Sequence, residues 1–258
     1  MNDLEKYFKQ NTERQIHKWS HYFDIYERHF AKFRNKEIVI LEIGIDQGGS
    51  LQMWKNYFGN KAKIYGVDIN PICKDFEEEN IEIFIGSQSD RNFLRNIKKK
   101  IPSVDILIDD GGHTMRQQII TFEEMFDHVK DNGIYLCEDN HTSYWIKLGG
   151  GYERRGTFIE FTKKIIDDLH AFHSRQKKFK VNKYTKNINS IHYYDSIVVF
   201  EKNQRKKPHD LTKGNLSFKV EVKERTILKK IYDKIIYISL LNINRLLSSL
   251  KLPGFIWK

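Results

Sequence analysis

Cysteine is scarce in this chain. Of 258 residues only Cys73 and Cys137 carry a thiol, far apart and without C-x-x-C spacing. They suggest neither a zinc site nor a disulfide framework, and they fit a reducing cytosol. No apolar run approaches the roughly eighteen residues that a membrane-spanning helix requires. The N-terminal stretch MNDLEKYFKQNTERQ has no apolar h-region, so no secretory signal is expected. Internal repeats and low-complexity tracts are missing too. Residues 1–201 show no charge excess, with thirty Lys and Arg against thirty Asp and Glu. The net charge of +10 comes from residues 202–258, where fourteen basic side chains face four acidic ones. Such asymmetry points to an acidic partner for the tail and says little about the chemistry of the body.

What is present describes a folded chain, 40% hydrophobic, 13% aromatic and 30% charged. The length suffices for one α/β domain with residues to spare. Residues 1–36 read as an N-terminal helical region: Leu4, Tyr7, Phe8, Ile16, Trp19, Tyr22, Phe23, Tyr26, Phe30 and Phe33 recur mostly at three- and four-residue spacing. Residues 37–202 read as the main domain. IVILEIG (38–44), IYGVD (64–68), IEIFIG (81–86), VDILIDD (104–110) and GIYLCED (133–139) are short β-rich runs, mostly apolar, with helical segments between several of them. Runs of this kind are parallel strands covered on both faces, so the fold class is a doubly wound, mostly parallel α/β sheet of Rossmann-like type. Helices are expected over 114–130 and 156–173, and IHYYDSIVVFEK (191–202) supplies the closing strands. Residues 203–258 read as a basic linker and a helical extension in which Ile227, Leu228, Ile231, Ile235, Ile238, Leu241, Leu246, Leu247 and Leu250 alternate with Lys229, Lys230, Lys234 and Arg245, ending before Pro253.

In an open parallel sheet the ligand sits beyond the carboxyl ends of the strands. The first strand leads there into Glu42-Ile43-Gly44-Ile45-Asp46-Gln47-Gly48-Gly49-Ser50. A dinucleotide loop needs G-x-G-x-x-G, but Asp46 replaces the second glycine and would bring negative charge near a pyrophosphate. A cofactor with no phosphate and a positive sulfonium, S-adenosylmethionine, suits Glu42, Gly44, Gly48 and Ser50 better. Asp68 ends the second strand, placed to accept from both ribose hydroxyls. Ser87 and Gln88 after the third strand would border the adenine, and Asp109 would face the cofactor beside the reacting centre.

The fourth strand ends Asp109-Asp110-Gly111-Gly112-His113 and the fifth ends Cys137-Glu138-Asp139. If these strands are neighbours, Asp110, Glu138 and Asp139 share one rim. Three carboxylates in one place repel unless a cation binds, and an oxygen-only set suits Mg²⁺, with Mn²⁺ as a substitute. A bound divalent ion can acidify a substrate hydroxyl. His113 could then take the proton, an imidazole titrating ordinarily near about 6.5.

The stretches ILEIGIDQGGSLQMW, IYGVDINP, ILIDDGGHT, CEDNHTSYW and IHYYDSIVVFEK resemble the metal-dependent sugar O-methyltransferases that tailor macrolide antibiotics, the mycinamicin type of class I S-adenosylmethionine-dependent methyltransferases. The resemblance covers roughly residues 15–202, and its specific part is D-x-x-H followed by E-D twenty-eight residues after Asp110. It implies Asp110, Glu138 and Asp139 as metal ligands, His113 as general base and a deoxysugar hydroxyl as acceptor. HTSYW (141–145) and GGGYERR (149–155) would form a lid, with Tyr144, Trp145 and Tyr152 either stacking on a sugar or packing beneath a loop.

The basic tail has no counterpart in that family. A helix of this composition can lie on an anionic membrane surface, which would suit an acceptor made there, such as a surface polysaccharide or its lipid-linked precursor. It can equally pack on the domain or form a homo-oligomer interface. The expected location is the cytoplasm, with a peripheral position at the inner face of the membrane. Two other functions stay open. An iron-dependent hydroxylase could use Asp110, His113 and His141 but would leave Glu138 and Asp139 without a role. An RNA-modifying methyltransferase would use the basic charge, yet no RNP or KH signature is visible, so nucleic acid is the less favoured partner.

Overall fold

The computed structural model describes residues 1–218 and 226–254. The linker part at 219–225 and the chain end at 255–258, both within the expected basic extension, lie outside the described residues. The chain divides into two compact units, Met1–Pro208 and His209–Lys258.

The first unit opens with α1 (Asp3–Gln10) and α2 (Tyr22–Phe30). A single seven-stranded sheet follows, in the order β3-β2-β1-β4-β5-β7-β6. Strands β1 (Val39–Ile43), β2 (Lys63–Asp68), β3 (Ile81–Ile85), β4 (Val104–Asp109) and β5 (Val129–Cys137) are parallel. The late strands β6 (Ile188–Tyr193) and β7 (Val198–Lys202) pair antiparallel to each other, and β7 pairs antiparallel to β5. Helices α3 (Gly49–Phe58), α4 (Arg91–Lys100), α5 (Met115–Met125), α6 (Phe158–His170) and the short α7 (Lys183–Asn187) complete the unit. The doubly wound architecture expected from the apolar runs is therefore present.

Alternation along the strands feeds two cores. Ile40, Ile64, Ile106 and Ile134 join the aromatic side chains of α2 and α3 on one face, while Leu41, Val67, Leu107 and Tyr135 join α4, α5 and α6 on the other. Tyr22, Tyr26, Phe30 and Trp54 are wholly buried in the first core. Burying a large apolar side chain contributes roughly 1.5–3 kcal/mol, so this stripe fastens α2 to the sheet. Local signals set the helix starts. Asp90 caps α4 through the Asn92 and Phe93 amides, and Thr114 with Gln117 forms a capping box at α5.

The helical region expected over 1–36 is two helices joined by an irregular segment, residues 11–21. Asn11 ends α1 in extended conformation. The chain then passes close over the start of α3, where a Cβ on Gly49 would stand 2.3 Å from the Arg14 carbonyl oxygen. Trp19, which the periodicity places with the apolar stripe, is instead 52% exposed.

The second unit holds α8 (Ile227–Ser249), with no buried residue along its length. Among the described residues no helix is long and apolar enough to cross a membrane.

Candidate active site

The strand order reverses between β1 and β4, and a cleft of about 380 Å³ opens beyond their carboxyl ends. The turn after β1 brings backbone against backbone there. Gly44 adopts φ +86, and a Cβ on it would lie 2.0 Å from the Asp110 carbonyl oxygen. No side chain fits at that crossing. Asp68 closes the loop from the other side, its Oδ2 accepting from the Ile45 and Asp46 amides at 3.0 and 3.2 Å.

Of the residues singled out in the sequence, Gly44, Ser50, Asp68, Ser87, Gln88, Asp110, His113, Glu138 and Asp139 line this one cleft. Glu42, Gly48 and Asp109 do not. Glu42 is buried behind the wall, accepting from Ser50 Oγ at 2.8 Å. Asp109, expected to face the cofactor, turns into the protein, where Gln88 Nε2 donates to it at 2.9 Å and the Tyr135 hydroxyl at 3.1 Å. A strand alternates its side chains, so consecutive Asp109 and Asp110 cannot both point into the cleft. Gln88 reaches the wall, but its amide also donates to Thr121 and its oxygen accepts from the Gly112 amide.

The rim holds more negative charge than the chain balances. Glu42, Asp110 and Glu138 converge on one ammonium, that of Lys18, which is 3% exposed. Its Nζ lies 2.9 Å from Glu138 Oε2 and 3.8 Å from Glu42 Oε1, and it donates to Asp110 Oδ2. Burial by itself would lower the lysine's pKa, but the three carboxylates hold it well above its usual range. Burial pushes the Glu42 and Asp109 carboxyls up to about 7, and raises those of Asp110 and Glu138. Two tyrosines of α2 support the rim from below. Tyr22 donates to Asp139 Oδ1 at 2.6 Å and Tyr26 to Glu138 Oε1 at 2.7 Å.

Asp110, His113 and Asp139 bring possible ligand atoms within 4.8 Å of one another. His113 Nε2 stands 3.4 Å from Asp139 Oδ2 and 3.8 Å from Asp110 Oδ1. Glu138 lies outside that group, its carboxylate engaged by Lys18 and Tyr26. His113 and Asp139 both adopt the left-handed conformation, at φ 55 and 52. Non-glycine residues there carry strain of about 1–3 kcal/mol and cluster at functional sites. A divalent cation fits this donor set: three carboxylates share one ammonium, two carboxylates and an imidazole face one point, and the buried His113 Nδ1 has no hydrogen-bond partner among the described residues. His141, which the hydroxylase alternative needs, is absent from the group. Its Nδ1 pairs with Ser196 Oγ at 3.0 Å, and its ring packs between Trp19 and Trp145. Tyr144, Trp145 and Tyr152 are all exposed, which excludes the reading of these three as core aromatics.

Lys18, Tyr22 and Tyr26 have no motif that marks them in the sequence. The tyrosines sit on the apolar stripe of α2 and read as core, which their rings are; only their hydroxyls reach the site. Lys18 lies in the irregular segment and carries no spacing signal.

No family model matches the chain. It resembles the metal-dependent macrolide-sugar O-methyltransferases. It is 33% identical over 190 residues to the 8-demethyl-8-alpha-L-rhamnosyl tetracenomycin-C 2'-O-methyltransferase of Streptomyces olivaceus, covering 70% of this chain and 50% of that protein. Identity to the mycinamicin VI 2''-O-methyltransferase of Micromonospora griseorubida is 34% over 188 residues, covering 69% and 47%. The chain spans about half the length of the curated relatives it matches. Among solved structures, the MycE methyltransferase of the mycinamycin pathway in complex with Mg and SAH superposes with a TM-score of 0.72 at 30% identity, over 79% of this chain and 55% of that one. The sheet and its flanking helices have the Rossmann-like fold of that methyltransferase.

Proposed function

We propose that this chain is an S-adenosylmethionine-dependent, divalent-metal-dependent O-methyltransferase that acts on a sugar hydroxyl. The observation that carries this reading is the meeting in one cleft of the Gly44–Ser50 loop, Asp68, and the acidic rim around His113. The relatives named for sugar O-methylation, and the MycE structure titled with Mg, SAH and mycinamycin VI, support it.

In this reading the loop holds the methionine end of the cofactor and the free lone pairs of Asp68 accept from the ribose hydroxyls. Ser87 and Gln88 border the adenine. Asp110 and Asp139, with Glu138 behind them, hold Mg²⁺ or Mn²⁺. When bound, the ion supplies a Lewis acid that lowers the pKa of the acceptor hydroxyl. His113 Nε2 is oriented by Asp139 and takes the hydroxyl proton. When bound, the cofactor would supply a sulfonium methyl group for transfer to the acceptor oxygen, held for that transfer by the Gly44–Ser50 loop and Asp68. Much of the rate comes from orientation. Lys18 pairs with the deeper carboxylates and offsets part of the burial that raises their pKa values.

The acceptor is a glycan, in our reading a surface polysaccharide or its membrane-linked precursor, methylated in the cytoplasm. Exposed Trp19 and Trp145 flank His141 beside the cleft and offer ring faces to a sugar. The acidic rim opposes a phosphate backbone, which disfavours nucleic acid. The basic helical tail would be drawn to anionic lipid by roughly 1 kcal/mol per nearby basic residue.

Calorimetry of S-adenosylmethionine binding with and without Mg²⁺, followed by methyl transfer to a panel of glycosides and polysaccharides, tests the reading. Cofactor binding and Mg²⁺-dependent methylation of a sugar are expected. Failure to bind the cofactor in either condition would overturn it.

A further inference from the structure

A second cluster of ligand-bearing side chains lies outside the cleft, where α2 meets the hairpin of β6 and β7. His29, His192 and Glu201 bring ligand atoms within 4.8 Å of one another. The pairing explains how. Ser190 stands opposite Glu201 and His192 opposite Val199, so all four side chains share the sheet face that packs on α2. His29 follows Tyr26 by one helical turn and faces the same way.

The distances fit an ion with nitrogen and oxygen ligands. His29 Nδ1 lies 3.4 Å and His192 Nε2 3.7 Å from the same oxygen, Glu201 Oε1. Tetrahedral zinc with bonds of about 2.0–2.1 Å sets its ligand atoms roughly 3.3–3.4 Å apart. Surrounding groups orient His29 and Glu201. His29 Nε2 is 2.9 Å from the Tyr194 hydroxyl, and Ser190 Oγ donates to the other Glu201 oxygen at 2.7 Å while lying 3.0 Å from His192 Nε2. When His29 Nε2 carries the proton toward the Tyr194 hydroxyl, Nδ1 is free to present a lone pair to an ion held beside Glu201 Oε1.

We propose that His29, His192 and Glu201 form a second metal site, separate from the acidic rim, which takes zinc or a related late first-row divalent ion and clamps α2 to the β6–β7 hairpin. Two imidazoles select such an ion over Mg²⁺, which prefers oxygen. His192 and Glu201 are 36% and 30% exposed, leaving a water-accessible fourth position. The clamp has a consequence for the cleft, since α2 also carries the Tyr22 and Tyr26 hydroxyls that hold Asp139 and Glu138.

The test is titration of the metal-free chain, residues 1–258, with Co²⁺ in excess Mg²⁺, read by visible absorption, with zinc displacement and thermal melting alongside. One equivalent of Co²⁺ with the strong visible bands of a low-coordinate site is expected, displaced by zinc, together with a higher melting temperature on zinc addition. His192→Gln and Glu201→Gln, both at partly exposed positions, should each weaken Co²⁺ binding at least about ten-fold and abolish the zinc-dependent rise, whereas Asp110→Asn should change neither. X-ray absorption at the zinc edge of the unaltered protein gives a readout independent of any variant, and imidazole scattering is expected. Absence of the Co²⁺ bands, wild-type affinity in both variants, loss in Asp110→Asn alone, or zinc without imidazole ligands would each overturn the proposal.

Discussion

Lys18 Nζ lies 2.9 Å from the Glu138 carboxylate, although 120 residues separate the two in the chain. The contact joins the irregular N-terminal segment to the carboxyl end of β5. One buried ammonium thereby serves Glu138, Asp110 and Glu42 together. Breaking a buried ion pair from one side typically costs about 3–5 kcal/mol, because the remaining charge is left uncompensated. Lys18→Met should lose stability of that order in metal-free urea denaturation, with Mg²⁺ restoring part of it. A loss below about 1 kcal/mol, in the range of exposed pairs, would mean that the carboxylates do not depend on Lys18.

Glu42 links the same cluster to pH. Burial raises its carboxyl from 4.5 to about 7 in the folded chain, so the folded state holds this proton more tightly than the unfolded one. The resulting stabilisation is complete below pH 4.5 and is lost as pH rises through about 7. Glu42→Gln, neutral throughout, should make the metal-free protein's unfolding free energy fall less steeply across that window. Superimposable pH profiles for the two proteins would show that Glu42 is not the group responsible.

His113→Asn tests the proton acceptor. Asparagine tolerates the left-handed backbone at φ 55, so the variant should fold and bind S-adenosylmethionine with little change. Removing a general base typically lowers kcat by about 10²–10⁴, and single-turnover methyl transfer should fall within that range. Transfer at the wild-type rate would remove His113 from the mechanism.

Gly44→Ala should disturb both halves of the cleft, since the added methyl would meet the Asp110 carbonyl oxygen at 2.0 Å. An incompatible glycine replacement destabilises by more than about 1 kcal/mol. Calorimetry should show lower thermal stability together with weaker cofactor and Mg²⁺ binding. Unaltered Mg²⁺ affinity would mean that the Asp110 turn adjusts without cost.

The tail can be tested by ending the chain at Pro208, the limit of the first compact unit. Flotation with vesicles rich in anionic lipid should carry the full chain and not the shortened one, and added salt should release it. Equal partitioning of the two would rule out a membrane role for α8.

The sequence by itself determined the layered sheet and the address of the cleft. Runs such as ILIDD and IYLCED are apolar over the length of a strand and end in acidic residues, so periodicity and composition place Asp110, Glu138 and Asp139 at strand ends. Only the tertiary structure decided which of those side chains face one another. Asp109 and Asp110 are adjacent in the chain yet point to opposite sides, one toward Gln88 and Tyr135 and the other toward Lys18. Glu138 turns inward because Tyr26 and Lys18 reach it, contacts 112 and 120 residues distant that no local pattern encodes. His29, His192 and Glu201 likewise come from separate elements. Local spacing records which face of a strand or helix a residue occupies; partnership across elements follows from the packing of α2 on the sheet, a property of the folded chain as a whole.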